Sequence, residues 1–246
     1  MAAIRWPLVR EILRKDLEEV SRSRQLLYPM FVFPIFITGD SLLIISAMAA
    51  GSNAGPTALA DSFFRFGGLL LVLPVVVPTL LGSSSVVMEK NNRTLEALLS
   101  TPLTDTELLL GKALAPLVPA LALTAASFTV YATGAALVVN AHQPGTNLPW
   151  IPFLVSALVI APILASLSTC VSVAVSTKAK DMRSAQQLST FVLLPPLIVV
   201  IVLAIALGPS LRAQAAFAVI FALLTFAVLR ITVQRFQRDQ ILVAGL

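Results

Sequence analysis

The chain has 246 residues, of which 57% are apolar or aromatic and 12% are charged, about half the roughly 25% charge of an average soluble protein. With a mean hydropathy of +0.91, this excludes an ordinary water-soluble domain, a disordered chain and a collagen-like fibre, and leaves a polytopic membrane protein. The net charge of +5 would suggest nucleic acid in a soluble protein; here it marks the side of the membrane that faces the cytoplasm, and no nucleic-acid partner is expected.

Residues 1–25 form the first unit. Trp6, Val9, Ile12, Leu13, Leu17 and Val20 recur at helical spacing, with Arg10, Glu11, Arg14, Lys15, Glu18 and Glu19 on the other face. The pattern predicts an amphipathic interface helix, its apolar stripe in lipid and its basic residues near anionic headgroups. Scattered charges exclude a signal peptide. Residues 26–246 then hold six apolar stretches, near 26–50, 63–88, 113–139, 151–175, 186–207 and 213–233. Each is long enough as a helix to cross a hydrocarbon core of roughly 30 Å. Prolines inside several of them, Pro195-Pro196 among these, kink a membrane helix rather than end it. The fold class is an all-α polytopic membrane protein of six transmembrane helices.

Orientation follows from the 17 Lys and Arg residues. Fifteen fall in the N-terminal segment, the 89–112 and 176–185 loops and the C-terminal tail, and only Arg65 and Arg212 fall on the other side. That split predicts both termini in the cytoplasm and a place in the cell's inner (plasma) membrane. The outer loops, 51–62 and 140–150, are short and nearly uncharged. The single cysteine, Cys170, and single histidine, His142, permit neither an intramolecular disulfide nor a Cys/His metal cluster.

The informative loop runs from Met88 to Lys112. Thr94 can cap a short helix with Leu95, Leu98 and Leu99 on one face and Glu96 on another, and Pro102 ends it. Thr104 and Glu107 then form a capping box opening the third span. An apolar helix face outside the membrane either docks into a groove of another protein or rests on the bilayer. In the first span, Asp40 is the one acid well inside an apolar run. It either faces a translocation path, where it contacts a cationic group or a proton, or caps a break after Gly39 or reaches outer water. Arg65 is its nearest candidate partner. Ala157, Ala161, Ala165 and Thr169 form a small-residue row in the fourth span that reads as a packing face.

Glu89-Lys90-x-x-x-Thr94-Leu95-Glu96-x-Leu98-Leu99-x-Thr101-Pro102, followed by Glu107-x-x-x-Gly111-Lys112, resembles the loop of ABC-2 type transporter permeases. Ser176 to Asp181, then Arg183 to Gln187 and Pro195-Pro196, is similar to the same family's connection between its fourth and fifth spans. The resemblance implies a six-span permease that works as a homodimer or heterodimer and binds two copies of a cytoplasmic ABC ATPase. It makes the 93–101 segment a coupling helix, so that Glu89, Arg93, Thr94, Leu95, Glu96, Leu98 and Leu99 are the residues expected to meet the ATPase. ATP and Mg would sit on that partner, and this chain would bind no cofactor and catalyse nothing. Its own Gly111-Lys112-Ala113 lacks the upstream glycine and the hydroxyl of a phosphate loop. Alternatives are a haem-exporter-like permease of cytochrome maturation and an ion-coupled carrier. An external re-entrant element within 195–212, present in many relatives, is left open.

Overall fold

A computed structural model describes residues 5–51, 55–85, 87–88, 105–179 and 181–235, and every regular element among them is helical. Helix α1 spans Trp6–Arg22 and α2 spans Arg24–Ala50. The second span is α3 (Pro56–Leu69), a 3-10 turn at Leu70–Val72, and α4 (Leu73–Ser84). The third is α5, Asp105–His142. The fourth joins α6 (Trp150–Val155), a π-helical segment at Ser156–Ile160 and α7 (Ala161–Lys178). Helices α8 (Met182–Leu207) and α9 (Leu211–Arg235) complete the bundle. Six helices are long and apolar enough to cross a membrane; the chain is a multi-pass membrane protein.

The breaks in regularity follow the prolines. Pro74 offers no N–H to the Leu70 carbonyl, and the chain tightens into the 3-10 turn there. Pro162 leaves the Leu158 carbonyl without its helical donor, and the π-helical segment holds that residue. Pro195 and Pro196, by contrast, lie inside an unbroken α8. No re-entrant element forms between 195 and 212: α8 runs to Leu207, and Gly208 reverses the chain with φ +57° before α9 begins at Leu211. A side chain at Gly208 would strain that backbone.

Both outer loops are shorter than expected. Residues 56–62 already belong to α3, started by Pro56 in its first turn. Likewise α5 continues through His142, whose Nδ1 lies 3.0 Å from the Val138 carbonyl one turn back. Polar residues mislead here because a helix emerging from lipid needs no apolar side chains to persist.

The second and fourth spans form the centre. In the second, 72% of the most apolar window is buried, against 11% in the sixth. Helices α4 and α7 make the tightest contact, and serines on α7 face prolines on α4. Ser168, Ser172 and Ser176, one turn apart, are completely buried. The Ser168 hydroxyl lies 2.8 Å from the Pro74 carbonyl, which Pro78 cannot serve, and 2.9 Å from Leu164 on its own helix. Ser172 donates toward Pro78 at 3.3 Å. The expected packing row is present in part: Ala161, Ala165 and Thr169 are buried and Ala157 is half-buried. The serine row beside it was not foreseen, although its four-residue spacing is visible in the sequence.

At the end away from α1, Phe63, Tyr131, Trp150 and Phe153 form an aromatic cluster with ring centroids 5.1–6.4 Å apart. Tyr131 donates its hydroxyl to the Phe63 carbonyl at 2.9 Å. Gly67 lets the rings close over the helix, since a Cβ there would stand 2.9 Å from the Phe153 ring.

Candidate functional site

Residues 89–104 lie outside the described residues. With them lie the expected coupling residues Glu89, Arg93, Thr94, Leu95, Glu96, Leu98 and Leu99, together with Thr104 of the capping box. What the structure describes is the frame on either side of this loop, Ser84, Ser85, Val87 and Met88 before it and α5 after it.

Helix α1 braces that frame. It does not offer its whole apolar stripe to lipid: Val9 and Ile12 are buried, with Asp16, where α1 packs on the first turns of α5, whereas Trp6 is 63% exposed. Burying Val9 and Ile12 contributes at most about 1.5–3 kcal/mol each. Gly111 makes the approach possible, because a Cβ on it would stand 2.8 Å from Ile12 Cγ2.

Two ion pairs flank this contact. Arg5 donates its backbone N–H to Glu107 Oε1 at 2.8 Å, and its Nη2 donates to Glu107 Oε2 at 3.0 Å. Further along, Lys112 Nζ stands 3.6 Å from Asp16 Oδ2 and donates to the Ser85 carbonyl at 3.1 Å, with Lys112 1% exposed. Glu107, Gly111 and Lys112 are thus the residues that receive α1. Sequence reasoning assigned Glu107 to a cap, counted Lys112 as an inside charge and placed both in the family motif, without pairing either with α1. The missed signal was an acid in the apolar-bounded face of α1, at Asp16.

The second basic loop closes the frame from the opposite side. The Val87 N–H donates to Ser176 Oγ at 3.3 Å, and Val87 is buried with Ala179 and Ala185. Met88 and Met182 both pack on the cluster of Leu26, Met30, Val77, Leu81 and Ala120. Asp181 opens α8 through a capping box with Ser184. The Ser184 N–H donates to its carboxylate at 2.7 Å and holds the Asp181 pKa below the ordinary carboxylate value.

Asp40 does not cap a break, since α2 is continuous through Gly39 and Asp40. Its side chain is exposed on the outside of the single chain, and it forms no ion pair with Arg65 or any other described residue. His142 and Trp150 part company as well: one back-bonds to α5, and the other enters the aromatic cluster.

Six helices long and apolar enough to cross a membrane, packed around a buried centre, define a multi-pass membrane protein. A family model described as ABC-2 family transporter protein matches residues 10–232. The chain belongs to that family and is a membrane permease of an ABC transporter. No curated protein matches it.

Proposed function

We propose that this chain is the membrane-spanning subunit of an ATP-driven exporter, paired with a second permease copy and served by two copies of a separate cytoplasmic ABC ATPase. The family match from residue 10 to residue 232 carries this reading, because it takes in most of α1, the 88–112 loop and the six spans. The loop's 93–101 segment is the coupling helix, and the braced frame around Val87, Ser176 and Lys112 gives a push on that helix a direct route into the spans. Both termini face the cytoplasm, in accord with the charge split. Hydrolysis of ATP belongs to the partner.

Purification in mild detergent from the native membrane tests the assembly. An ATPase chain bearing a phosphate-binding loop should accompany the permease in equal amount, and a permease that emerges alone would overturn the reading. Orientation is checked on the same material. Single cysteines at residues 55 and 145 should react with an impermeant maleimide from outside intact cells, and those at 92 and 180 only after permeabilisation.

Asp40 lines the translocation path in this reading, exposed on one protomer so as to face the space between two. Asp40→Asn should leave yield and ATPase retention at wild-type levels and lower cargo-stimulated hydrolysis. Wild-type export by the Asp40→Asn protein would retire that role.

A further inference from the structure

We propose that Lys112 is a positioning residue that fastens both stems of the 88–112 loop to α1, so that loop movement reaches the spans through one body. The proposal rests on the permease reading above and adds to it the part that transmits the motion.

The argument begins with what Lys112 costs. An ammonium group 1% exposed is expensive to desolvate, and a buried ion pair is often no more stable than well-packed apolar residues of the same volume. Stability alone therefore gives little reason for a charge here. Geometry gives one. Lys112 lies on α5 where the loop returns, Ser85 lies at the end of α4 where the loop departs, and Asp16 lies on α1. The ammonium reaches both partners, at 3.1 Å to the Ser85 carbonyl and 3.6 Å to the Asp16 carboxylate. A compact cation with three donors on a long stem can join three backbones that an apolar side chain could only touch.

Neighbouring contacts fix the direction of this junction. Arg5 and Glu107 tie the start of α1 to the start of α5. Ile12 seats on Gly111 between the two pairs. Val87, two residues beyond Ser85, is bonded to Ser176 on α7. A displacement of either loop stem is therefore shared by α1, α4, α5 and α7, and Lys112 on the returning stem reaches both the departing stem at the Ser85 carbonyl and α1 at the Asp16 carboxylate.

The test uses the full chain with its co-purified ATPase in lipid vesicles, in a Cys170→Ser background. Val9→Cys reports on α1 through its N-ethylmaleimide labelling rate, because Val9 is 1% exposed while α1 is seated. Ile35→Cys, on the outward face of α2, reports on the spans through the spectrum of a nitroxide spin label attached in detergent before reconstitution, recorded with and without ATP. Lys112→Met should speed Val9→Cys labelling by about tenfold or more, since it removes the ammonium 3.6 Å from the buried Asp16 carboxylate. It should also abolish the ATP-dependent change at Ile35→Cys. Lys112→Arg, which keeps charge and donors, should restore the ATP response in part.

Ile12→Ala separates positioning from packing: it weakens the α1–α5 contact without touching the charges, and should keep the ATP response. Asp16→Asn, close in shape, serves if Lys112→Met does not fold, and should show the same loss. Slow Val9→Cys labelling together with a wild-type ATP response in Lys112→Met or Asp16→Asn would overturn the proposal, as would loss of the response in Ile12→Ala alone. A wild-type complex that ignores ATP at Ile35→Cys would instead overturn the permease reading and the transmission with it; the Val9→Cys rates would still decide whether Lys112 holds α1.

Discussion

Leu98→Asp is expected to weaken the permease's hold on its ATPase by at least about tenfold, the equivalent of 1.4 kcal/mol. In the proposed assembly Leu95, Leu98 and Leu99 would give the 93–101 segment an apolar face that seats in the ATPase groove. Burying one leucine contributes about 1.5–3 kcal/mol, and an aspartate in its place adds an unpaired charge to a dry interface. The two effects act in the same direction, so tenfold is a lower bound. Asn91→Ala, before the helix, should leave affinity within about twofold, as substitutions outside the contact usually do. Detergent pull-down of the ATPase measures both. If the helix only rested on lipid, Leu98→Asp would retain the ATPase and export normally, and the coupling assignment would fall.

The second large effect lies in the bundle centre. Gly82 on α4 meets Ser172 on α7 so closely that a methyl group would overlap the Ser172 hydroxyl and stand 3.1 Å from its Cβ. Gly82→Leu should destabilise the bundle at or beyond the upper end of the roughly 1–3 kcal/mol that overpacking costs, because the second and fourth spans cannot separate without opening the whole core. Gly82→Ala should cost less, and Gly82→Ala with Ser172→Gly should recover most of the loss. Thermal unfolding in detergent, read with yield, distinguishes these. An unchanged midpoint for Gly82→Leu would show that α4 and α7 do not touch as described.

Which parts were legible in advance depends on how local their cause is. Six spans could be read because 20 or so apolar residues are a lipid requirement that leaves few other solutions. Their ends could be read only where a cap marked one: Thr104 and Glu107 put a helix start close to Asp105, where α5 begins, whereas Pro56 to Ser62 is helical without being apolar and nothing in its hydropathy distinguishes it from loop. The amphipathic character of α1 was equally plain, yet its partner was not. An apolar stripe meets lipid or protein with the same side chains, and the deciding features, Gly111 opposite Ile12 and Asp16 opposite Lys112, are separated from α1 by roughly ninety residues of sequence. Asp40 was legible as an anomaly but not as to its surroundings, because a helix turned outward looks the same in sequence as one turned inward. The serine that answers Pro74 follows from a carbonyl freed by Pro78 and needing a donor, but which span would supply it depends on the packing order.

Helix α5 has 38 residues, so it is about 57 Å long and exceeds the membrane by a wide margin. Pro116 and Pro119 remove two donors from its ladder directly beyond Lys112, which makes this its softest stretch. The segment gripped by α1 is thus a short lever, and the hinge lies immediately past the grip. Above the hinge the helix is free of proline as far as Tyr131 and His142. A tilt of about 5° introduced there would sweep the far end at His142, some 35 Å along, by about 3 Å, and Tyr131, about 18 Å along beneath the rings of Phe63 and Phe153, by about 1.6 Å.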